Sequence, residues 1–205
     1  MKELPLLYSL LWKLAFIIFK VFFRIEIQGR ENIPSEGGAI LVSNHLSYLD
    51  PIVISLVTTR KINFIAKEEL FKNLPFRLLI SSLGAFPLER GGFNRTSYRR
   101  ALHILREGKL LVLFPEGTRR QKRGKIGSLR KGAARIALRA GVSLVPIAIQ
   151  GTDRALPRGG KIVRIAKISI RIGRPLPGKK LSYTKDEIDK LHNRLIKSIN
   201  ELLGP

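Results

Sequence analysis

The sequence predicts one α/β domain with a central mixed, largely parallel β-sheet flanked by helices, preceded by an amphipathic helix at the N-terminus. With 205 residues, of which 44% are hydrophobic, the chain is long enough for one compact core. Short apolar and β-branched segments alternate along it with segments of helical periodicity, which is the order of an α/β layer structure. Residues 1–23 stand apart because they are apolar almost throughout.

Residues 1–23 are expected to form a membrane-anchoring helical segment that lies in the bilayer interface. Lys13 and Lys20 interrupt the apolar stretch, so it lacks the run of about 20 apolar residues that crosses a bilayer. On a helix these lysines share one narrow line with Lys2 and Arg24, opposite a broad apolar surface, as in interfacial anchors. Burial against the domain and a cleaved signal peptide are the alternatives. The residues expected at the membrane are Lys2, Trp12, Lys13, Phe16, Phe19, Lys20, Phe22, Phe23 and Arg24.

Residues 24–205 are expected to form the domain itself. Strands are predicted at 24–28, 39–42, 62–66, 110–114, 144–149 and 161–172. Helices are predicted at 51–57, 75–82, 97–107, 129–140 and 185–203. The last helix begins with a capping box formed by Thr184 and Glu187. The last strand is the one that can add antiparallel pairing at one side of the sheet.

The charge of the chain predicts an anionic partner. Lys and Arg outnumber Asp and Glu by 38 to 15, a formal net charge of +23, and no acidic residue lies between Gly117 and Thr152. Nucleic acid, an anionic membrane surface and phosphorylated substrates all fit this charge. No nucleic acid is expected, because no aromatic residue that could stack on bases occurs between Pro115 and Leu181. A basic lipid- or nucleic-acid-binding protein without enzymatic activity is the alternative class.

The residue inventory excludes several kinds of chemistry. The chain has no cysteine, which excludes disulfides, thiolate metal sites and a thiol nucleophile. It has no G-x-S-x-G segment, so the usual serine nucleophile of acyl-enzyme chemistry is missing. Its three histidines are dispersed without metal-ligand spacing. We therefore expect no metal and no cofactor.

His45 and Asp50 form the candidate catalytic pair. His45 follows an apolar strand at the point where a loop leaves the sheet, and Asp50 precedes Pro51. On a helix the two side chains would point about 140° apart, so they meet only if the loop turns back. Asp50 could instead be a helix N-cap. If the two meet, Asp50 accepts the Nδ1 proton and leaves Nε2 free to remove a proton from a substrate hydroxyl.

Four blocks of sequence, in this order, resemble the glycerolipid acyltransferase family. They are Asn-His-Leu-Ser-Tyr-Leu-Asp at 44–50, Gly-Ala-Phe-Pro-Leu-Glu-Arg at 84–90, Phe-Pro-Glu-Gly-Thr-Arg at 114–119 and Val-Pro-Ile at 145–147. The second block departs from the commonest family pattern at Pro87 and Glu89. A basic helix start at 129–134 also resembles the family.

The resemblance implies an acyltransferase. The acyl group of an acyl-ACP or acyl-CoA thioester would pass to the sn-2 hydroxyl of 1-acyl-glycerol 3-phosphate (lysophosphatidic acid), making phosphatidic acid at the cytoplasmic face of the cell membrane, to which the protein would bind as a peripheral or monotopic protein. Glycerol 3-phosphate and a lyso-aminolipid are the alternative acceptors.

The resemblance also implies a role for each matching residue. His45 is the general base and Asp50 orients it. The acceptor-binding residues are Lys67, Arg90, Glu116, Gly117 and Arg119, and the guanidinium groups suit a phosphate. The wall of an acyl channel is formed by Val145, Pro146 and Ile147.

Overall fold

The structure is a computed structural model, and it describes residues 6–67, 71–72, 74, 77, 81, 84–88, 95–117, 126, 129–160, 162–178 and 183–204. The strands are β1 (Glu26–Gln28), β2 (Ala39–Ser43), β3 (Ile62–Lys67), β4 (Ala85–Leu88), β5 (Leu110–Leu113), β6 (Ser143–Gln150) and β7 (Ser169–Ile172). The helices are α1 (Leu6–Phe22), α2 (Asp50–Ser55), α3 (Arg95–Arg106), α4 (Gly132–Ala140), α5 (Thr152–Ala155) and α6 (Lys185–Leu203), with a 3-10 turn at Arg30–Asn32.

These strands form one sheet in the order β1-β7-β6-β2-β5-β3-β4. Strands β6, β2, β5, β3 and β4 are parallel, whereas β7 is antiparallel to β6 and parallel to β1. The predicted mixed, largely parallel sheet is confirmed. Because parallel strands end at one edge, the loops that follow β2, β5 and β6 leave the sheet together. We call this edge, where β2 ends at Ser43, β5 at Leu113 and β6 at Gln150, the carboxyl edge.

The sheet separates two apolar clusters. Ile40 and Val42 belong to one cluster, and Ala39 and Leu41 belong to the other, because successive side chains of a strand point to opposite faces. Helices α3, α4 and α6 contribute to the first cluster. Helices α1 and α2 contribute to the second. The catalytic candidates therefore lie at the rim of a well-packed core.

Helix α1 is present, but its predicted membrane face is wrong in part. Trp12, Phe16, Phe19 and Phe23 pack against the domain core, and Phe19 and Phe23 are buried there. The Trp12 indole N–H donates to the carbonyl oxygen of Ser55 on α2 at 2.8 Å. This side of the helix therefore follows the alternative of burial against the domain.

The other side of α1 is apolar and exposed. Lys13, Lys20 and Arg24 are exposed as expected, and Lys2 lies outside the described residues. At 100° per residue, Lys13 and Lys20 flank one side of the exposed apolar stripe. Among the described residues, no helix combines the length and apolar character needed to cross a membrane. The exposed apolar side chains of the helix are Leu10, Leu14, Ile17, Ile18, Val21 and Phe22.

Some of the observed elements differ from the predicted ones. The strand predicted at 161–172 is limited to β7, because β6 ends at Gln150 opposite Ser169 and residues before Ser169 extend past the sheet. Strand β4 was not predicted. Gly84 precedes it with φ +85°, and a Cβ there would clash with the Ile62 carbonyl oxygen of β3. The predicted helix at 75–82 falls largely on residues that the structure does not describe.

Helix α6 has the predicted bounds, and Thr184 is its N-cap. Thr184 Oγ1 accepts a hydrogen bond from the Glu187 N–H at 3.2 Å. The apolar stripe predicted for this helix faces the core. His192 is buried beside it, near Lys131 and Asp189, and its Nδ1 atom has no hydrogen-bond partner among the described residues.

We expect His192 to make folding stability depend on pH. Burial, and secondly the charge of Lys131, lower the His192 pKa below its usual 6.5, while Asp189 acts in the opposite direction. The unfolded chain then binds more protons at this residue, so the free energy of unfolding falls as the pH drops below about 6.5, down to the lowered pKa. Urea unfolding of the parent and of His192→Leu, at about pH 7 and about pH 5, measures this dependence. An equal loss of stability in both proteins would assign it to other groups.

Candidate active site

The loop after β2 turns back so that Asp50 meets His45. Asp50 is fully buried at the start of α2, and its Oδ2 atom lies 2.8 Å from His45 Nδ1. The same oxygen accepts from the backbone N–H groups of Leu46 at 2.6 Å and Ser47 at 2.8 Å. The carboxylate does not cap α2. It closes the loop on itself, so the condition under which His45 and Asp50 can meet is fulfilled.

This hydrogen-bond pattern defines the proton positions on His45. Because Asp50 Oδ2 already accepts two N–H groups, it acts as an acceptor toward the ring as well. A neutral His45 ring therefore carries its proton on Nδ1 and leaves Nε2 with a free lone pair. The His45 side chain is 18% exposed, so the ring is held by the protein and still reaches solvent. The pair has the arrangement of an oriented general base.

Phe114 and Glu116, which follow β5, complete the surroundings of His45. The Phe114 ring stacks on the imidazole with centroids 4.3 Å apart and planes inclined by 25°. Glu116 Oε1 accepts from the His45 backbone N–H at 3.2 Å. Strands β2 and β5 are neighbours, so the sheet brings the first and third sequence blocks together. Glu116 therefore positions the histidine, and its contact with an acceptor stays a prediction.

Asn44 joins the site loop to the next strand. Its Nδ2 donates to the carbonyl oxygen of Ile149 and its Oδ1 accepts from the Ile149 N–H, both at 2.8 Å. The buried amide thereby continues the pairing of β2 with β6 one residue past the end of β2. This fixes the direction in which the chain enters His45. The sequence block contains Asn44, but its role becomes visible only in the structure.

We expect Asn44→Ala to destabilise the domain by roughly 2–4 kcal/mol, because the buried N–H and C=O of Ile149 each lose a partner. Urea unfolding of the two proteins gives the difference in free energy. Asn193→Ala, an exposed position on α6, is the matched control. A change in Asn44→Ala as small as that of the control would contradict a structural role for the amide.

The structure describes only some of the other residues predicted to bind the acceptor. Gly117 adopts φ +74°, a conformation that favours glycine, and a Cβ there would come within 3.5 Å of the Arg130 guanidinium. Arg130 therefore lies beside the site, although it is not among the residues predicted to bind the acceptor. Lys67 ends β3 at the carboxyl edge. Arg90 and Arg119 lie outside the described residues.

The Val-Pro-Ile block lies inside β6. Val145 and Ile147 are fully excluded from solvent in the cluster on the α1 side. Pro146 pairs with Val42 on the neighbouring strand, and its carbonyl oxygen accepts from the Gly173 N–H at 2.9 Å. These residues are part of the core, and their role as the wall of an acyl channel stays a prediction.

The α/β domain with this His–Asp site corresponds to a known class. The family model described as Acyltransferase matches residues 24–150, which include β1 to β6 and the His45 loop. The chain belongs to the acyltransferase family, and the resemblance inferred from the four blocks is confirmed.

Within this family, the chain is similar to 1-acyl-sn-glycerol-3-phosphate acyltransferases. It is 36% identical over 181 residues to a chloroplast enzyme of that name from Arabidopsis thaliana, with 86% of this chain and 50% of that protein covered. It is 28% identical over 182 residues to the Bacillus subtilis 1-acyl-sn-glycerol-3-phosphate acyltransferase, covering 87% of each. The chain thus spans about half the length of the chloroplast relatives it matches.

A solved structure has the same fold. The crystal structure of the 1-acyl-sn-glycerophosphate (LPA) acyltransferase PlsC from Thermotoga maritima superposes with a TM-score of 0.76 at 29% identity. The match covers 100% of this chain and 85% of that one. The mixed sheet with flanking helices is therefore the fold of that acyltransferase.

Proposed function

We propose that the protein transfers a fatty acyl group from an acyl-ACP or acyl-CoA thioester to the sn-2 hydroxyl of 1-acyl-glycerol 3-phosphate, forming phosphatidic acid. The observation that carries this proposal is the His45–Asp50 pair at the carboxyl edge, with Nε2 free and no protein nucleophile required. The names of the relatives from Bacillus subtilis and Thermotoga maritima support the same acceptor.

The proposed reaction is a direct transfer. Nε2 of His45 takes the proton of the acceptor hydroxyl as its oxygen attacks the thioester carbonyl carbon. The tetrahedral intermediate then collapses, the C–S bond breaks, and the departing sulfur takes the proton back from the imidazolium. Asp50 accepts from Nδ1 throughout and stabilises the positive ring. Proton removal and return thus balance at one nitrogen, and no covalent acyl-enzyme forms.

The charge around the His45 loop supports a phosphorylated acceptor. Arg130 lies beside Gly117, and Lys67 ends the strand next to β5. We assign phosphate binding to these bases together with Arg90 and Arg119, as the family resemblance implies. Glu116 is assigned to the glycerol part of the acceptor as well as to the His45 backbone.

The test compares acceptors with one labelled acyl thioester. We expect purified protein to form phosphatidic acid and free thiol in equal amounts from 1-acyl-glycerol 3-phosphate, and to use glycerol 3-phosphate and a lyso-aminolipid less well. Both acyl-ACP and acyl-CoA are tested as donors. A higher kcat/KM with one of the alternative acceptors would change the assigned substrate. No product with any pair would contradict the proposed function.

We also propose that the protein binds the cytoplasmic face of the cell membrane through the exposed stripe of α1. The side chains that would enter lipid are those turned away from the domain, such as Leu14 and Val21, and Lys13 and Lys20 would lie among the lipid phosphates. The acceptor and the product both reside in a bilayer, so this placement brings the enzyme to its substrate.

We expect Leu14→Ser combined with Val21→Ser to weaken binding to anionic vesicles roughly tenfold or more, since each exposed side chain loses apolar area that lipid would cover. Co-sedimentation with phosphatidylcholine–phosphatidylglycerol vesicles measures this. Tyr183→Ser removes a half-exposed apolar side chain that packs near α4, on the other face of the sheet, and serves as the control. Equal binding of the double variant and the control would contradict a membrane role for α1.

A further inference from the structure

Residues 162–167 form a largely exposed segment that contains both apolar and basic side chains. Ile162 is 76%, Val163 50% and Ile165 78% exposed. Arg164 and Lys167 are exposed between and after them. β-Branched apolar side chains of this exposure are costly in water, and a cluster of them marks an interaction surface. We call residues 162–167 the exposed segment.

The exposed segment lies at the carboxyl edge beside the end of α1. The Ile168 N–H donates to the carbonyl oxygen of Phe23 at 3.0 Å, and the Glu26 N–H donates to the carbonyl oxygen of Ile168 at 3.0 Å. The segment therefore runs into the sheet directly next to the residue that follows α1. Phe22, the last residue of that helix, is half-exposed. Exposed apolar side chains of α1 and of the exposed segment therefore lie at the same corner of the domain.

The middle of the exposed segment is linked to the His45 loop. The Arg164 N–H donates to the carbonyl oxygen of Ala155 at 2.7 Å. The next carbonyl oxygen, that of Leu156, accepts from Ser47 Oγ at 2.8 Å, and the Ser47 N–H in turn donates to Asp50. A short chain of hydrogen bonds thus connects the segment with the loop that carries the catalytic pair.

The charge around the exposed segment is suited to anionic headgroups. From Arg154 to Lys167 the sequence contains five basic residues and no Asp or Glu. Arg154, Lys167 and Arg171 also line an open groove next to the segment. Glu26, which lines the same groove, pairs with Lys167 at 2.7 Å. Lipid phosphates at a zwitterionic or anionic surface can pair with such bases. Each base contributes more binding free energy where the surface is anionic.

We propose that the exposed segment is a second membrane-binding element, which inserts Ile162, Val163 and Ile165 into an anionic phospholipid bilayer. With α1 as the first contact, two points of attachment at the same corner turn the carboxyl edge, and hence His45, toward the bilayer surface. The benefit to catalysis rests on the proposed function, but the membrane contact itself does not.

Vesicle binding of a double variant tests the contact. We expect Ile162→Ser combined with Ile165→Ser to reduce binding to phosphatidylcholine–phosphatidylglycerol vesicles roughly 10- to 100-fold, because two apolar side chains lose their lipid environment. Ile162→Leu combined with Ile165→Leu keeps the apolar area and is expected to bind as the parent does. Tyr183→Ser is again the control on the other face. Parent-like binding of the serine variant would overturn the proposal.

A single-cysteine label locates the segment directly. The chain has no cysteine of its own, so Ile165→Cys can carry an environment-sensitive fluorophore without competing thiols. We expect its emission to shift to the blue on addition of anionic vesicles and to be quenched by a bromine-labelled lipid. A label at Lys197→Cys, exposed on α6, is expected not to respond. A response at Val21→Cys but none at Ile165→Cys would show that α1 binds alone and would overturn the proposal.

Acyl transfer supplies a readout that separates the two proposals. We expect the serine double variant to lose activity on 1-acyl-glycerol 3-phosphate presented in vesicles and to retain it in detergent micelles. If the parent proved inactive in both, the proposed function would fail, while the vesicle and fluorescence measurements would still decide the membrane contact.

Discussion

Replacing His45 with alanine is expected to lower kcat/KM for acyl transfer by about 10²–10⁴, the usual contribution of a positioned general base. Nε2 is the atom of the His–Asp pair that is free to accept a proton, since Nδ1 is bonded to Asp50 at 2.8 Å. The amide of His45→Gln can still donate a hydrogen bond to Asp50. It has no basic nitrogen that could replace the imidazole Nε2 as the proton acceptor. Its activity is therefore expected to fall about as far as that of the alanine variant.

Initial rates of thiol release, with thermal unfolding of each variant, measure this effect. His103→Ala is the matched control, because His103 is a largely exposed histidine on α3 outside the site. The fold is expected to persist in His45→Ala, since Asp50 keeps its bonds to the Leu46 and Ser47 N–H groups. Activity of a folded His45→Ala near that of His103→Ala would remove His45 as the base.

The position of the site was predictable because it follows from topology. Alternation of strands and helices implies parallel strands, and parallel strands bring their following loops to one edge. The blocks that contain His45 and Glu116 follow two such strands, and the structure joins them through one hydrogen bond of 3.2 Å. The loop reversal that His45 and Asp50 need was also recognisable as a condition, although spacing alone could not show that it is met.

Other features depend on long-range contacts that a single sequence does not encode locally. Asn44 bonds to Ile149, 105 positions away, and no local pattern distinguishes it from any asparagine after a strand. Phe114 is an apolar residue directly after an apolar strand, so its stacking on His45 has no sequence signal of its own. These contacts depend on which strands become neighbours.

The helix α1 illustrates how periodicity can identify an element and misassign its faces. Periodicity assigns the line of lysines to the polar side of the helix and everything opposite it to the lipid side. In the structure the side chains opposite the exposed stripe, including Phe19 and Phe23, belong to the core, and exposed apolar residues such as Val21 lie on the other side of Lys20. A helix that is apolar on both its core-facing side and its exposed side gives one continuous pattern, and periodicity cannot divide it.

Replacing Asp50 with asparagine separates the charge of the carboxylate from its geometry. An amide oxygen at the position of Oδ2 can accept the same three N–H groups, from His45, Leu46 and Ser47. The negative charge that would stabilise the imidazolium in the proposed transfer is lost. We expect kcat to fall by roughly 10²–10⁴ with little change in KM, because the charge acts on the transition state more than on bound substrate.

The stability of two Asp50 variants identifies the cause of that loss. Asp50→Ala is expected to lower the free energy of unfolding by about 2–4 kcal/mol, because the buried N–H groups of Leu46 and Ser47 lose their acceptor. Asp50→Asn keeps that acceptor and is expected to be more stable than Asp50→Ala. Asp186→Asn, an exposed acid on α6, controls for removal of one charge from a strongly basic chain. If Asp50→Asn retained kcat within a few-fold of this control, Asp50 would act by closing the loop alone, and His45 would not need its charge.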